Sequence, residues 1–193
     1  MKKTIISIAV LCAQIVNLVF KPLKLRNKIA IISRQSDVPT LDIQMLDDRL
    51  RECGIETVIL TKKLNKSISG MFSYALHLIC QMYHIATSKV VVLDGYCILI
   101  SILPKKKNQK VIQMWHALGA IKKFGWQNVE SPDGHSIDVA EAMKMHNNYD
   151  YILAPGKITG SFFAEAFRTP EEKIVLCGLP RIDYILSEDE KAN

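Results

Sequence analysis

The chain opens on two lysines and an apolar run from Ile5 to Phe20, interrupted by Ser7, Gln14 and Asn17. Lys21, Lys24, Arg26 and Lys28 close it. The run is shorter than the roughly 20 apolar residues that cross a bilayer, and no convincing small-x-small cleavage site follows it. Cations at both ends favour an anionic membrane surface. Residues 1–27 therefore read as a helix that lies in, or dips into, the cytoplasmic leaflet. A signal-anchor that crosses the bilayer is the alternative. The basic flank on the downstream side keeps the remaining chain on the cytoplasmic side.

Beyond Lys28 the pattern changes. Short β-branched runs predict strands at Lys28–Ser33, Glu56–Leu60, Lys89–Leu93, Lys110–Trp115, Tyr151–Ala154 and Lys173–Leu176. Between them, helical spacing marks Asp42–Cys53, with Thr40 as N-cap and Gly54 at the C-terminal end. A longer helix covers Ser69–Ala86, with Phe72, Ala75, Ile79 and Met82 on one face. Val139–His146 and Gly160–Phe167 are the remaining helices. Strands of four to six residues alternating with helices define an α/β fold with a doubly wound parallel sheet. Residues 28–186 form that domain, and 187–193 (SEDEKAN) read as a polar tail or the start of an interdomain linker.

Composition narrows the picture only slightly. A chain of 193 residues, 49% hydrophobic and 23% charged, suffices for one buried core. The net charge of +6 suits a phosphate-rich ligand or an anionic lipid. It is not gathered into a basic stripe interleaved with aromatics, which argues against nucleic acid. Five scattered cysteines without metal spacing read as reduced, mostly buried thiols. The lysine run 105–107 reads as a solvated loop, and His77 and His84 as helix residues without a chemical role. His135 and His146 stay unassigned.

In doubly wound sheets ligands bind beyond the carboxyl ends of the strands. Those ends deliver Ser33, Arg34, Gln35 and Ser36; then Asp94 and Gly95; then His116; and finally Gly178, Pro180, Arg181 and Asp183. A carboxylate, an imidazole and two guanidiniums on one rim point to an anionic ligand. His116, at the exit of a strand, sits where a general base is useful. Lys122 and Lys123 before Gly125 suit phosphate oxygens. Arg181 can hold phosphate or carboxylate bidentately, with Asp183 steadying its fork. Each has a plainer reading. His116 could be structural, the lysines a solvated helix end, Arg181–Asp183 an ion pair closing a turn, and Asp94 a helix cap.

Trp115-His116-Ala117, Lys122-Lys123-Phe124-Gly125 and the later Gly178-Leu179-Pro180-Arg181-Ile182-Asp183, in this order, resemble the CDP-glycerol glycerophosphotransferase family of teichoic acid primases and polymerases. Ser33 to Asp37 and Ser88 to Asp94 are similar too. The resemblance implies the N-terminal, Rossmann-like half of a GT-B-type enzyme. It implies transfer of polyol phosphate from CDP-glycerol or CDP-ribitol to a lipid-linked anionic acceptor at the cytoplasmic membrane surface. His116 would be the base, and Lys122, Lys123 and Arg181 phosphate ligands. No cofactor or metal is expected. Ala117, where many glycerol-type members carry Gly, leaves the polyol open. A donor-binding C-terminal half would have to come from elsewhere. A non-catalytic acceptor-binding module and another GT-B glycosyltransferase are the competing functions.

Overall fold

The computed structural model describes residues 2–65 and 67–187; of the expected polar tail, 188–193 lie outside the described residues. Six strands, β1 (Arg26–Ser33), β2 (Glu56–Thr61), β3 (Ser88–Leu93), β4 (Lys110–Gln113), β5 (Tyr151–Ala154) and β6 (Ile174–Leu176), make one sheet in the order β2-β1-β3-β4-β5-β6. Every ladder is parallel. The helices are α1 (Lys2–Phe20), α2 (Leu41–Glu52), α3 (Ile68–Thr87), α4 (Ile98–Ile102), α5 (Ile137–Ala142), α6 (Lys157–Phe167) and α7 (Pro180–Leu186).

The strands read as unbroken apolar runs because both faces of the sheet are covered. Side-chain alternation sorts them. Ile31 and Val92 pack with Ile43 of α2 and with Leu179, which precedes α7. Ile32, Val91, Leu93 and Ile152 face the other way, towards Met82, Leu99, Phe163 and Phe167 of α3, α4 and α6. The expected fold class is therefore the observed one. Chain order reverses between β1 and β3, which opens a crevice above their carboxyl ends.

Local chemistry explains the boundaries. α2 stops at Cys53 because Gly54 takes φ +73°; its amide donates to the Arg51 carbonyl and that of Ile55 to Leu50. This pair of bonds satisfies the last turn's free carbonyls. α5 ends at Ala142, short of the expected His146. Lys144, His146 and Asn148 each adopt a left-handed φ, which a right-handed helix cannot contain. β4 ends at Gln113, so Trp115 belongs to the loop that follows. α4 is too short to show a helical period.

Two expectations need correction or refinement, and one is completed. Of the five cysteines only Cys97 is buried; Cys12, Cys53, Cys80 and Cys177 are exposed, as they fall on outward-facing helix and loop positions. The lysine run is a loop with Lys105 and Lys107 exposed, as expected, but two of its ammonium groups are engaged. Lys105 pairs with Asp150 at 2.6 Å, and Lys106 Nζ donates to the carbonyls of Phe20, Leu23 and Ala86. A cation seated on the end of α1 meets the negative pole of that helix. Finally, the apolar face of α3 points outward over much of its length: Phe72 is 68% and Ile79 46% exposed, while Met82 is buried.

Candidate active site

The site begins with Gln113 at the end of β4. Its side chain is buried; Nε2 donates to the Gly95 carbonyl at 3.0 Å and Oε1 accepts the Trp115 amide at 2.9 Å. That clamp holds Trp115 at φ +59°, a strained conformation for an aromatic residue. Packing offsets the strain. The indole stacks on Phe124 with centroids 4.6 Å apart and meets Phe167 edge-on at 5.3 Å.

The turn delivers His116 to the crevice. Its Nδ1 lies 2.8 Å from the backbone carbonyl of Asp94. A carbonyl only accepts, so Nδ1 carries the hydrogen and the lone pair is on Nε2. Gln35 Nε2 lies 3.2 Å from the same Nδ1, where a second donor has no use. The amide turned by half a rotation presents its oxygen instead. Gly95 leaves room for this meeting, since a Cβ there would stand 3.2 Å from the Gln35 amide nitrogen.

Asp94, also buried, accepts from Ser33 Oγ at 2.7 Å, and its second oxygen has no partner among the described residues. Burial pushes its carboxyl above the usual carboxylate range, and the Ser33 bond offsets part of that. It does not cap a helix, because α4 starts after Cys97. Arg34 donates from Nη1 to the Tyr96 carbonyl at 3.4 Å, and its buried Nε has no hydrogen-bond partner among the described residues.

Arg181 sits beside His116, as expected, but its partner is different. Arg181 Nε donates to Asp42 Oδ2 at 2.6 Å, its Nη2 also reaches that oxygen, and its backbone amide donates to Oδ1 at 2.9 Å. Nη2 further donates to the His116 carbonyl at 3.3 Å. Asp183 does not steady the fork: Pro180 starts α7, and residues two apart on a helix do not face each other. Asp183 is exposed. Asp42 is the member that sequence reasoning missed; from the sequence it marks only the start of α2.

Lys122 and Lys123 stand apart from this group. Both are exposed and line a cleft of about 600 Å³ with Tyr96, Trp115, His135 and His146. Trp115 divides this cleft from His116, the two rings 4.5 Å apart. Gly125 is fixed here by φ +58° and by the Ala166 carbonyl, 2.3 Å from where a Cβ would be. His146 is buried against Trp115 and Phe167, with Nδ1 3.0 Å from the Tyr149 hydroxyl. Burial pushes its pKa down to about 3. No cluster of three or more His, Cys, Asp or Glu suited to a metal occurs among the described residues.

The crevice of this doubly wound sheet thus presents an oriented imidazole beside the Arg181 guanidinium, with the two ammonium groups in a separate cleft. The chain belongs to the CDP-glycerol:poly(glycerophosphate) glycerophosphotransferase family, whose model matches residues 16–193. It is 35% identical over 164 residues to the teichoic acid ribitol-phosphate primase of Bacillus spizizenii, covering 84% of this chain and 42% of that protein. It is 32% identical over 116 residues to the teichoic acid glycerol-phosphate primase of Bacillus subtilis, covering 60% and 30%. A structure of the wall teichoic acid polymerase TagF superposes with a TM-score of 0.68 at 15% identity, over 98% of this chain and 49% of that one. The chain thus spans less than half the length of these relatives.

Proposed function

We propose that this chain is the acceptor-side part of a transferase that moves polyol phosphate from CDP-glycerol or CDP-ribitol to a hydroxyl of a lipid-linked teichoic acid acceptor. The observation that carries this reading is the bond from His116 Nδ1 to the Asp94 carbonyl, which leaves Nε2 free to accept a proton. In the reaction Nε2 takes the acceptor hydroxyl's proton as its oxygen attacks the β-phosphorus of the donor. The bond to the bridging oxygen breaks and CMP leaves with that electron pair. Arg34 and the cleft lysines bind phosphate oxygens; Arg181, held by Asp42, positions the His116 backbone. Contacts to the cytidine are assigned to the portion of the relatives beyond this chain. His116→Ala in the complete enzyme cuts transfer roughly 1,000-fold with its unfolding transition unchanged; activity within about tenfold of the unaltered enzyme would overturn the base assignment.

The same chain docks on the cytoplasmic membrane face as a monotopic protein. α1 is long and apolar enough to cross a membrane by length and composition. Yet one side of it is engaged: Val10, Ala13 and Phe20 pack on the domain core, and Lys3 pairs with Asp138. Its other side exposes Ile5, Ile8, Leu11 and Ile15. α3 adds Ile68, Met71, Phe72, Leu76 and Ile79, all exposed, at helical spacing. A helix packed lengthwise on a domain, with a second apolar helix against it, suits the plane of the interface.

A further inference from the structure

A second cleft, of about 400 Å³, runs along the seam between α1 and the segment linking α4 to β4. It shares no residue with the cleft beside Trp115. Asn17 and Lys21 reach it from α1, Lys144 and Asn147 from the left-handed turns after α5, and Leu18 and Pro104 supply an apolar wall. Lys21, Lys144 and Asn147 are exposed, and neither ammonium has a hydrogen bond or ion pair among the described residues. No carboxylate lines the cleft among the described residues. Two unpaired cations on one cavity favour an anion. Leu18 is also 60% exposed beside the apolar stripe of α1, so the cavity opens onto the surface assigned to lipid.

We infer that this seam binds the phosphate headgroup of an anionic membrane phospholipid. Lys21 and Lys144 pair with the phosphate oxygens, the Asn17 and Asn147 amides donate to them, and Leu18 lies against the start of an acyl chain. The inference rests on the membrane reading above and adds a choice of lipid to it. The apolar stripes of α1 and α3 hold any bilayer, whereas the seam prefers a charged one.

The test is co-sedimentation of the full chain with vesicles of phosphatidylcholine alone and of phosphatidylcholine mixed with phosphatidylglycerol. Lys21→Gln with Lys144→Gln lowers the preference for the mixed vesicles by roughly 30-fold, at about 1 kcal/mol per lysine near an anionic surface. Binding to phosphatidylcholine alone stays as it was. The charge-matched pair Lys89→Gln with Lys157→Gln keeps the preference. An equal loss in both double variants, or none in the first, overturns the seam as a site. Abolition of the preference by soluble glycerol 3-phosphate overturns the lipid as its occupant. Failure of the unaltered chain to sediment with either vesicle sinks the membrane reading itself, and the seam with it.

Discussion

The crevice above the sheet and the outward side of α1 and α3 are built on opposite terms. Around His116, polar groups are tied to one another across the chain: Ser33 to Asp94, Asp94 to His116, Arg181 to Asp42 and His116. On α3, Ile68 is 91% exposed and Phe72 68%, uncovered among the described residues. Position is fixed by directional bonds in the first region and by missing cover in the second. Substitutions should therefore separate cleanly, with chemistry and folding lost at one and partition into lipid at the other.

The largest separation comes from His116→Ala, which costs transfer roughly 1,000-fold, in the range of a lost general base, and leaves vesicle binding intact. A smaller effect follows Arg181→Ala. It strands the buried Asp42 carboxylate, and we expect about 2 kcal/mol of lost stability, discounted because Arg181 is partly exposed. Chemical denaturation measures it, and Arg181→Lys should recover part. Should Arg181→Ala unfold at the unaltered denaturant midpoint, the clamp has no structural weight. On the other region, Phe72→Ser leaves the denaturation midpoint in place. It weakens vesicle partition about tenfold, as removal of one phenyl from a lipid contact requires. A matching loss of stability would mean that Phe72 belongs to the fold.

The last prediction is a slope. His146 is neutral in the folded chain with a pKa of about 3, below its ordinary value. The unfolded chain takes up that proton first as the pH falls. Stability from this group is complete above about pH 6.5 and declines towards pH 3, by up to about 1.4 kcal/mol per pH unit. Unfolding free energies measured from pH 7.5 to 5 should show this component, and His146→Gln should flatten it. An unaltered slope in that variant would place the titration elsewhere.

The sheet was legible because a strand covered on both faces must be continuously apolar, and Val90-Val91-Val92-Leu93 has no other use. The strand ends put His116 and Arg181 on one rim, and Arg181 Nη2 donates to the His116 carbonyl there. The partner of Arg181 was not legible. Asp42 is 139 residues away in the chain, while Asp183 is near in sequence but turned aside by a helix where a turn was expected. Periodicity marked the stripe on α3 without its direction, because an apolar face looks the same whether it meets a core or a lipid. The contacts of lysines 105 and 106 were equally hidden, since their partners are a distant carboxylate and a helix end.

Lys106 has one more consequence. By gripping the last turn of α1 and the end of α3 together, it ties both helices to the segment that leads into β4. On the proposed membrane reading, once those helices settle into a bilayer, the imidazole of His116 would stand at one set height above the headgroups. On the proposed function, an acceptor would have to bring its terminal hydroxyl to that level, so reach along it would belong to the acceptor's own flexibility.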